Sequence, residues 1–282
     1  MSTGIGTTIS NRILNHWLGR EPFVVPNIYF LALSTTPLTN DGVGATEPSD
    51  PSYQRLVLAN NKTTFSVASS RNLSIAREFI YPPSTVAWGR CTHYLIYDNN
   101  VGGNVWLYGE LQNSIFVEID TSPILLANVN QINLDICGGS TVDLSLTTQA
   151  SNRILNHYFG QTPTFTPPAI YYMGVSSTPL NTEGIGFTEP VGGGYQRLAL
   201  PNDKNTFAFA NNKMVTLAQE FRFPISATPW GNMTHFFITD AATGAGNVYW
   251  TGRLLHGRTV EVGTTLSVLP NGFRWILDTC VA

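Results

Sequence analysis

Trp88-Gly89-Arg90-Cys91-Thr92-His93-Tyr94-Leu95-Ile96-Tyr97-Asp98 returns downstream as Trp230-Gly231-Asn232-Met233-Thr234-His235-Phe236-Phe237-Ile238-Thr239-Asp240, so the chain is a tandem duplication. The offset, 230 − 88 = 142, also carries Thr46-Glu47-Pro48 onto Thr188-Glu189-Pro190 and Tyr53-Gln54-Arg55-Leu56 onto Tyr195-Gln196-Arg197-Leu198. Asn11-Arg12-Ile13-Leu14-Asn15-His16 recurs as Asn152-Arg153-Ile154-Leu155-Asn156-His157 with offset 152 − 11 = 141, and Gly103-Asn104-Val105 as Gly246-Asn247-Val248 with offset 246 − 103 = 143. Single-residue insertions in loops account for the drift. A repeat of about 140 residues far exceeds a solenoid or propeller unit and suffices for a domain with its own core. The expected organisation is a first domain over 1–137, a linker over 138–149 and a second domain over 150–282.

Composition limits what those domains can bind. The 282 residues are 43% hydrophobic and 12% charged, the latter roughly half the usual share. Ser, Thr, Asn and Gly fill the surface instead, as in many β-rich proteins of assemblies and extracellular settings. A formal net charge of −3 leaves no basic stripe to neutralise phosphates, which argues against a nucleic-acid partner. No apolar run is long enough to cross a bilayer, and the N-terminus carries no basic region followed by an apolar leader. The expectation is a soluble protein made in the cytoplasm, with no membrane partner. Three cysteines make no disulfide framework. Cys91 aligns with Met233 and reads as a small buried hydrophobe, while Cys137 and Cys280 close the two copies at equivalent positions.

Residues 1–8 are Gly/Thr-rich and are expected to be poorly ordered unless a partner holds them. Ser10 is placed as an N-cap, Ile13, Leu14, Trp17 and Leu18 form one apolar stripe, and Gly19 ends it; Ser151, Ile154, Leu155, Tyr158, Phe159 and Gly160 repeat every feature. This predicts a short amphipathic helix at the head of each copy. Ile-Tyr-Phe-Leu-Ala-Leu-Ser over 28–34 and its counterpart over 170–176 are β-rich runs bounded by prolines. Long polar loops follow over 39–52 and 181–194, then half-exposed strands over 53–58 and 195–200. The Trp-Gly stretch leads into a strand over 92–97 that ends in an Asx/Gly hairpin connection. Seven or eight short strands per copy predict an all-β fold: two tandem similar β-sandwich domains, each preceded by a short amphipathic α-helix.

Candidate chemistry is sparse. Zinc needs three or four converging ligands, and His16, His157, His93, His235 and His256 show no such spacing. His93 and His235, each beside Thr92 or Thr234 and downstream of Trp88-Gly89 or Trp230-Gly231, read as core or inter-strand hydrogen-bonding residues. The acids shared by both copies, Glu47/Glu189, Glu78/Glu220, Asp98/Asp240, Glu118/Glu261 and Asp135/Asp278, would have to converge to cut a glycosidic bond. In so uncharged a chain an arginine present in both copies is better read as half of a buried ion pair. The pairs chosen are Arg55 with Glu78 and Arg197 with Glu220. The Asp98-Asn99-Asn100 loop lacks the spaced carboxylates of a calcium loop. Neither a nucleophile elbow nor a phosphate-binding loop is present. No catalytic group, cofactor or metal follows. Trp106, Tyr108, Tyr249 and Trp250 on one predicted strand pair could stack sugars if they faced outward, though core is the better reading.

The ordered string resembles a family of tailed-bacteriophage virion proteins labelled tail fibre or structural protein. It comprises Asn-x-Ile-Leu-Asn-His, Ser-x-Thr-Pro-Leu, Gly-x-Gly-x-Thr-Glu-Pro, Tyr-Gln-Arg, Trp-Gly-x-x-Thr-His, Gly-Asn-Val and a final Leu-Asp. The resemblance covers nearly the whole chain, twice. Asp50-Pro51-Ser52 replaces Gly192-Gly193-Gly194 in the first copy. It implies a non-enzymatic component of the virion, synthesised in the host cytoplasm, most simply a tail or baseplate fibre or fibre adaptor. A capsid decoration protein is the alternative within structure, and a carbohydrate- or receptor-binding module the alternative outside it. The implied partners are other virion proteins and, for the receptor-binding alternative, a host surface glycan; the duplication, by its pseudo-symmetry, suggests further copies of the chain in a homo-oligomer.

Overall fold

The computed structural model of the chain describes residues 3–39, 42–134, 143–160 and 165–277. Asp135, Cys137, Gly138-Gly139-Ser140, Asp278 and Cys280 lie outside the described residues. The first copy runs β1 (Thr3–Ile5), α1 (Thr7–Trp17), β2 (Ile28–Ser34), β3 (Leu56–Ala59), β4 (Asn72–Ser74) and β5 (Phe79–Ile80). It ends with β6 (Gly89–Tyr97), β7 (Val105–Val117), β8 (Ile124–Leu125) and β9 (Gln131–Asn133). The second repeats that order: β10 (Asp143–Leu146), α2 (Thr148–Tyr158), β11 (Ile170–Ser176), β12 (Leu198–Pro201), β13 (Met214–Thr216) and β14 (Phe221–Arg222). It closes with β15 (Gly231–Thr239), β16 (Val248–Val260), β17 (Ser267–Val268) and β18 (Arg274–Ile276). The fold is two tandem β domains with a helix early in each, as the repeat predicts.

Each domain is built on a sheet in the order β1-β7-β6-β2-β3 or its counterpart β10-β16-β15-β11-β12. Two short ribbons complete each copy, β4–β9 and β5–β8 in the first and β13–β18 and β14–β17 in the second, where β10 also pairs in parallel with β18 and so continues the sheet to seven strands. β2 is an inner strand between β6 and β3, and side-chain alternation lets it bury both faces. Tyr29, Leu31 and Leu33 face the main core, while Ala32 joins Leu95, Tyr97 and Tyr108 on the other side under the loop that carries Ala45.

Two expectations about the start of each copy change. The Gly/Thr-rich start is part of the sheet: β1 pairs with β7 from Thr3↔Gly109 to Ile5↔Leu107, and Ile5 is buried. Glycine serves close approach there, since a Cβ on Gly4 would lie 2.1 Å from the Tyr108 ring and one on Gly6 2.1 Å from the Val105 carbonyl oxygen. The helices also begin a turn before Ser10 and Ser151, which are buried inside them. Thr147 caps α2 by accepting from Ala150 N–H, and Gly6 holds the matching place before α1. Both helices stop at glycine as expected, with φ of +130° at Gly19 and +100° at Gly160. The described part of the stretch read as a linker carries β10 and the first residues of α2.

A repeat of this length suggests a separate core for each copy. Instead one cluster of buried side chains runs from Ile5, Trp17 and Tyr29 of the first copy through Tyr158 and Phe159 to Trp250 and Trp275 of the second.

Candidate functional site

The continuity of that core comes from the helices, each gripped by the domain it does not belong to. From α1, Asn11 Oδ1 accepts from Lys213 N–H, and Asn15 Oδ1 from Ala210 N–H and the Lys204 ammonium. From α2, Asn152 Oδ1 accepts from Arg71 N–H, and Asn156 Oδ1 from Ala68 N–H and the Lys62 ammonium. The C-terminal carbonyls, which no helical partner can satisfy, are matched in the same way. Trp17 O accepts from Tyr171 Oη and Asn202 Nδ2, and Leu18 O from Lys204. Tyr158 O accepts from Tyr29 Oη and Asn60 Nδ2, and Phe159 O from Lys62. Gly19 N–H and Gly160 N–H donate back to Asn202 Oδ1 and Asn60 Oδ1. Each of these bonds has its mirror, so the arrangement is a clasp with pseudo-twofold symmetry.

Local structure puts those donors in place. Ser70 and Arg71 have φ of +49° and +65°, and Asn212 and Lys213 +48° and +60°. Each pair forms a two-residue hairpin tip closed by reciprocal bonds, Ser69 to Asn72 and Asn211 to Met214. Left-handed backbone at two successive non-glycine residues costs energy and concentrates at functional positions. Here it aims the Arg71 and Lys213 amides at the helix asparagines. Burial pushes the Lys62 ammonium down to about 8, and lowers that of Lys204, against which Glu21 acts in the opposite sense.

Aromatic rings fill the axis. His16 and His157 stack with centroids 5.8 Å apart and planes 6° from parallel. Trp17 stacks on Phe165 and meets Tyr249 and Trp250 edge-on; Tyr158, its counterpart, lies against Phe23 and Trp106. His16 Nδ1 lies 2.8 Å from Glu21 O and must donate, whereas His157 Nδ1 accepts from Phe165 N–H at 2.9 Å. Burial first, then the neighbouring His16, push the His157 pKa down to about 4.

The folded state therefore keeps His157 neutral where the unfolded chain, with a histidine near 6.5, binds a proton. Stability is expected to be complete above about pH 6.5 and to fall as the pH drops toward about 4, by roughly 1–2 kcal/mol once solvent screening at a half-buried site is allowed for. His157→Gln should flatten this slope in denaturant melts taken across that range. Burial lowers His93 and His235 as well, so part of the slope remains. An undiminished slope in the variant would refute the assignment.

The repeated Trp-Gly-x-x-Thr-His stretch is structural in its geometry. Gly89 and Gly231 take φ of +75° and +82° at the entry to β6 and β15. Thr92 and Thr234 fall at a register shift in the long hairpins, a β-bulge, and their hydroxyls lie 2.7 and 2.8 Å from Nδ1 of His93 and His235. Trp88 and Trp230 meet Tyr53 and Tyr195 edge-on at 5.2 Å. The Asp50 substitution is legible here. Its carboxylate accepts from Trp88 Nε1 and from Ser52, Thr85 and Val86, whereas in the second copy the Gly193 carbonyl accepts from Trp230 Nε1 and Ala227 N–H. Desolvation pushes the Asp50 pKa up, but the hydrogen bonds, Thr85 foremost, outweigh it and hold the acid well below the usual carboxylate range.

The arginines take partners other than those expected. Arg55 pairs with Glu47 at 2.6 Å and Arg197 with Glu189 at 2.7 Å, while Glu78 is exposed and Glu220 pairs with Arg222. The reason is topological: the Thr-Glu-Pro loop folds back beside its own following strand, where Tyr53 and Tyr195 also donate to the same glutamates. Asp98 and Asp240 close their hairpins by accepting from Asn104 and Asn247. Trp106, Tyr108, Tyr249 and Trp250 are all buried. Beside α2 an open cleft of about 920 Å³ is lined by Arg153, Glu183, Asp240 and Tyr249. Arg153 donates there to Tyr249 Oη and Asn247 Oδ1. Among the described residues no three of His, Cys, Asp and Glu are grouped to hold a metal, and no helix is long and apolar enough to cross a membrane.

The family model described as podophage GP4 fiber I protein gp80 matches the chain twice, over residues 4–134 and 145–275. The chain belongs to this family. A phage fibre family implies a virion structural role and interaction with other virion proteins. No curated protein matches the chain. Each fibre-family match begins inside the first strand of a copy and closes at or just after its last, so the matched unit contains both the helix and the groove that takes the other unit's helix.

The clasp residues escaped sequence reasoning, though a signal existed. Asn60-Asn61-Lys62-Thr63-Thr64 and Asn202-Asp203-Lys204-Asn205-Thr206 share a pattern, and Asn11/Asn15 and Asn152/Asn156 stand at helical spacing. Asparagines repeated one helical turn apart beside an apolar stripe call for buried partners.

Proposed function

We propose that the chain is a non-enzymatic structural component of a tailed-phage virion, carried at the tail or baseplate as a fibre or fibre-adaptor module. Supporting this reading is the use of its chemically capable side chains for packing. Asn15, Asn156, Lys62, Lys204, Glu47 and Glu189 bind helix ends, strand tips and loops. Trp106, Tyr108, Tyr249 and Trp250, the rings that could have stacked a sugar, are buried. The module is compact, which suits a joint better than a shaft.

Labelled antibody on intact particles, or a reconstruction of the particle, tests it. Density or label at the tail or its base is the expected result. Label spread over the head would replace the fibre reading with capsid decoration, and sugar release by the purified protein would overturn the non-enzymatic one.

A further inference from the structure

We propose that the clasp is a self-recognition site: the groove over 60–71, like that over 202–213, receives the Asn-x-x-x-Asn helix of a second copy of the repeat and holds two repeats together without the covalent link between them. Each groove is occupied by the helix of the other copy, through bonds that all cross from one copy to the other. The contact is self-complementary, as in an isologous dimer. Each helix carbonyl and asparagine oxygen named above has a donor from the other copy, as buried polar groups require.

Comparing the copies with one another supports this separation of roles. The clasp is the same on both sides: Asn11 and Asn15 match Asn152 and Asn156, Asn60 and Lys62 match Asn202 and Lys204. The outward ribbons differ. Exposed Ile80 and Ile124, paired across β5–β8, are replaced by Arg222 and Ser267 across β14–β17. On the long hairpins Glu110, Ile115 and Phe116 become Arg253, Arg258 and Thr259. A homodimer of one repeat would show the same outer face twice. The fused pair keeps the joint while its two outer ribbons carry different side chains, so that a single chain can meet two different neighbours. The clasp proposal stands wherever on the particle the chain sits.

The test uses the full-length protein with a protease recognition sequence inserted between Gly139 and Ser140, cut to completion as judged on a denaturing gel. The two pieces are expected to migrate together as one species near the 30.9 kDa of the intact chain in native mass spectrometry and size exclusion. In the Asn15→Ala/Asn156→Ala variant, cut in the same way, the pieces should hold each other roughly a hundredfold less tightly, because buried donors lose their acceptors. Wild-type pieces that part on cutting, as folded monomers or as aggregate, overturn the proposal. So does a double variant whose pieces hold as tightly as the wild type.

Discussion

Trp17→Ala is expected to lower stability by about 3–5 kcal/mol, and to loosen the half of the chain to which Trp17 does not belong. The indole is 1% exposed. It stacks on Phe165 at 4.2 Å and meets Tyr249 and Trp250 at 6.0 and 5.9 Å, all three in the second copy. Removing it leaves a void walled by rings on β16, which the sheet cannot close without moving its strands. For one cooperative unit of this size the melting temperature should fall by roughly 5–10 °C. The distinguishing readout is hydrogen exchange: protection should drop in β11 and β16 before it drops in β2 and β7. Tyr158→Ala should do the reverse, because Tyr158 packs on Trp106 and Phe23. Phe116, which is 61% exposed, serves as a control whose truncation should cost no more than about 0.5 kcal/mol. Loss of protection confined to the first copy in the Trp17 variant would show that the two halves are energetically separate.

Much of this fold is legible in the sequence, and what is not follows from one limit of pattern reading. Periodicity tells which face of a segment is apolar; it does not tell whose face covers it. The strands over 28–34 and 170–176 could be delimited from their prolines and the apolar, aromatic-rich runs between them, and the apolar stripe of the first helix could be read from Ile13, Leu14 and Trp17. That α1 lies against the hairpin tip at Lys213 could not, since a tandem repeat is compatible with helices packed at home or exchanged. The tips themselves lack the Asn-Gly signal of a two-residue hairpin and use Ser70-Arg71 and Asn212-Lys213 instead. Glycine misleads in the opposite direction at Gly4 and Gly6, where it marks close backbone approach rather than looseness. The choice of acid for Arg55 failed for a related reason. Both Glu47 and Glu78 recur in the second copy, and only the fold-back of the loop brings the first within reach.

That loop carries the other large expected effect. Arg197→Ala should destabilise the protein by about 2–4 kcal/mol, because it removes a buried guanidinium and strips the partly buried Glu189 carboxylate of its partner. The Arg197 side chain is 3% exposed. Its Nε and Nη2 bind Glu189 at 3.0 and 2.7 Å, while Nη1 reaches Ala241 O and Nη2 Gly244 O at 2.8 and 2.9 Å. The guanidinium also lies 5.2 Å from the Phe237 ring centroid. One side chain thus fastens the Thr-Glu-Pro loop and the hairpin connection at 240–247 to the same sheet. Without it Glu189 keeps only the Tyr195 hydroxyl, and two carbonyls lose a donor. Arg197→Lys should recover little, since an ammonium on a flexible stem cannot span a carboxylate and two carbonyls at once. Adding Glu189→Gln to Arg197→Ala should cost less than the sum of the two single changes, because they break one network. Glu220, the partner first assigned from sequence, sits instead in an ion pair with Arg222, whose side chain is 66% exposed, so Glu220→Ala should leave the guanidinium midpoint where it is. A midpoint that moves for Glu220→Ala and holds for Arg197→Ala would mean that the loops are fastened by their backbone bonds, Ser177 N–H to Thr188 O and Asn181 N–H to Ile185 O, with the arginine merely resting in the gap between them.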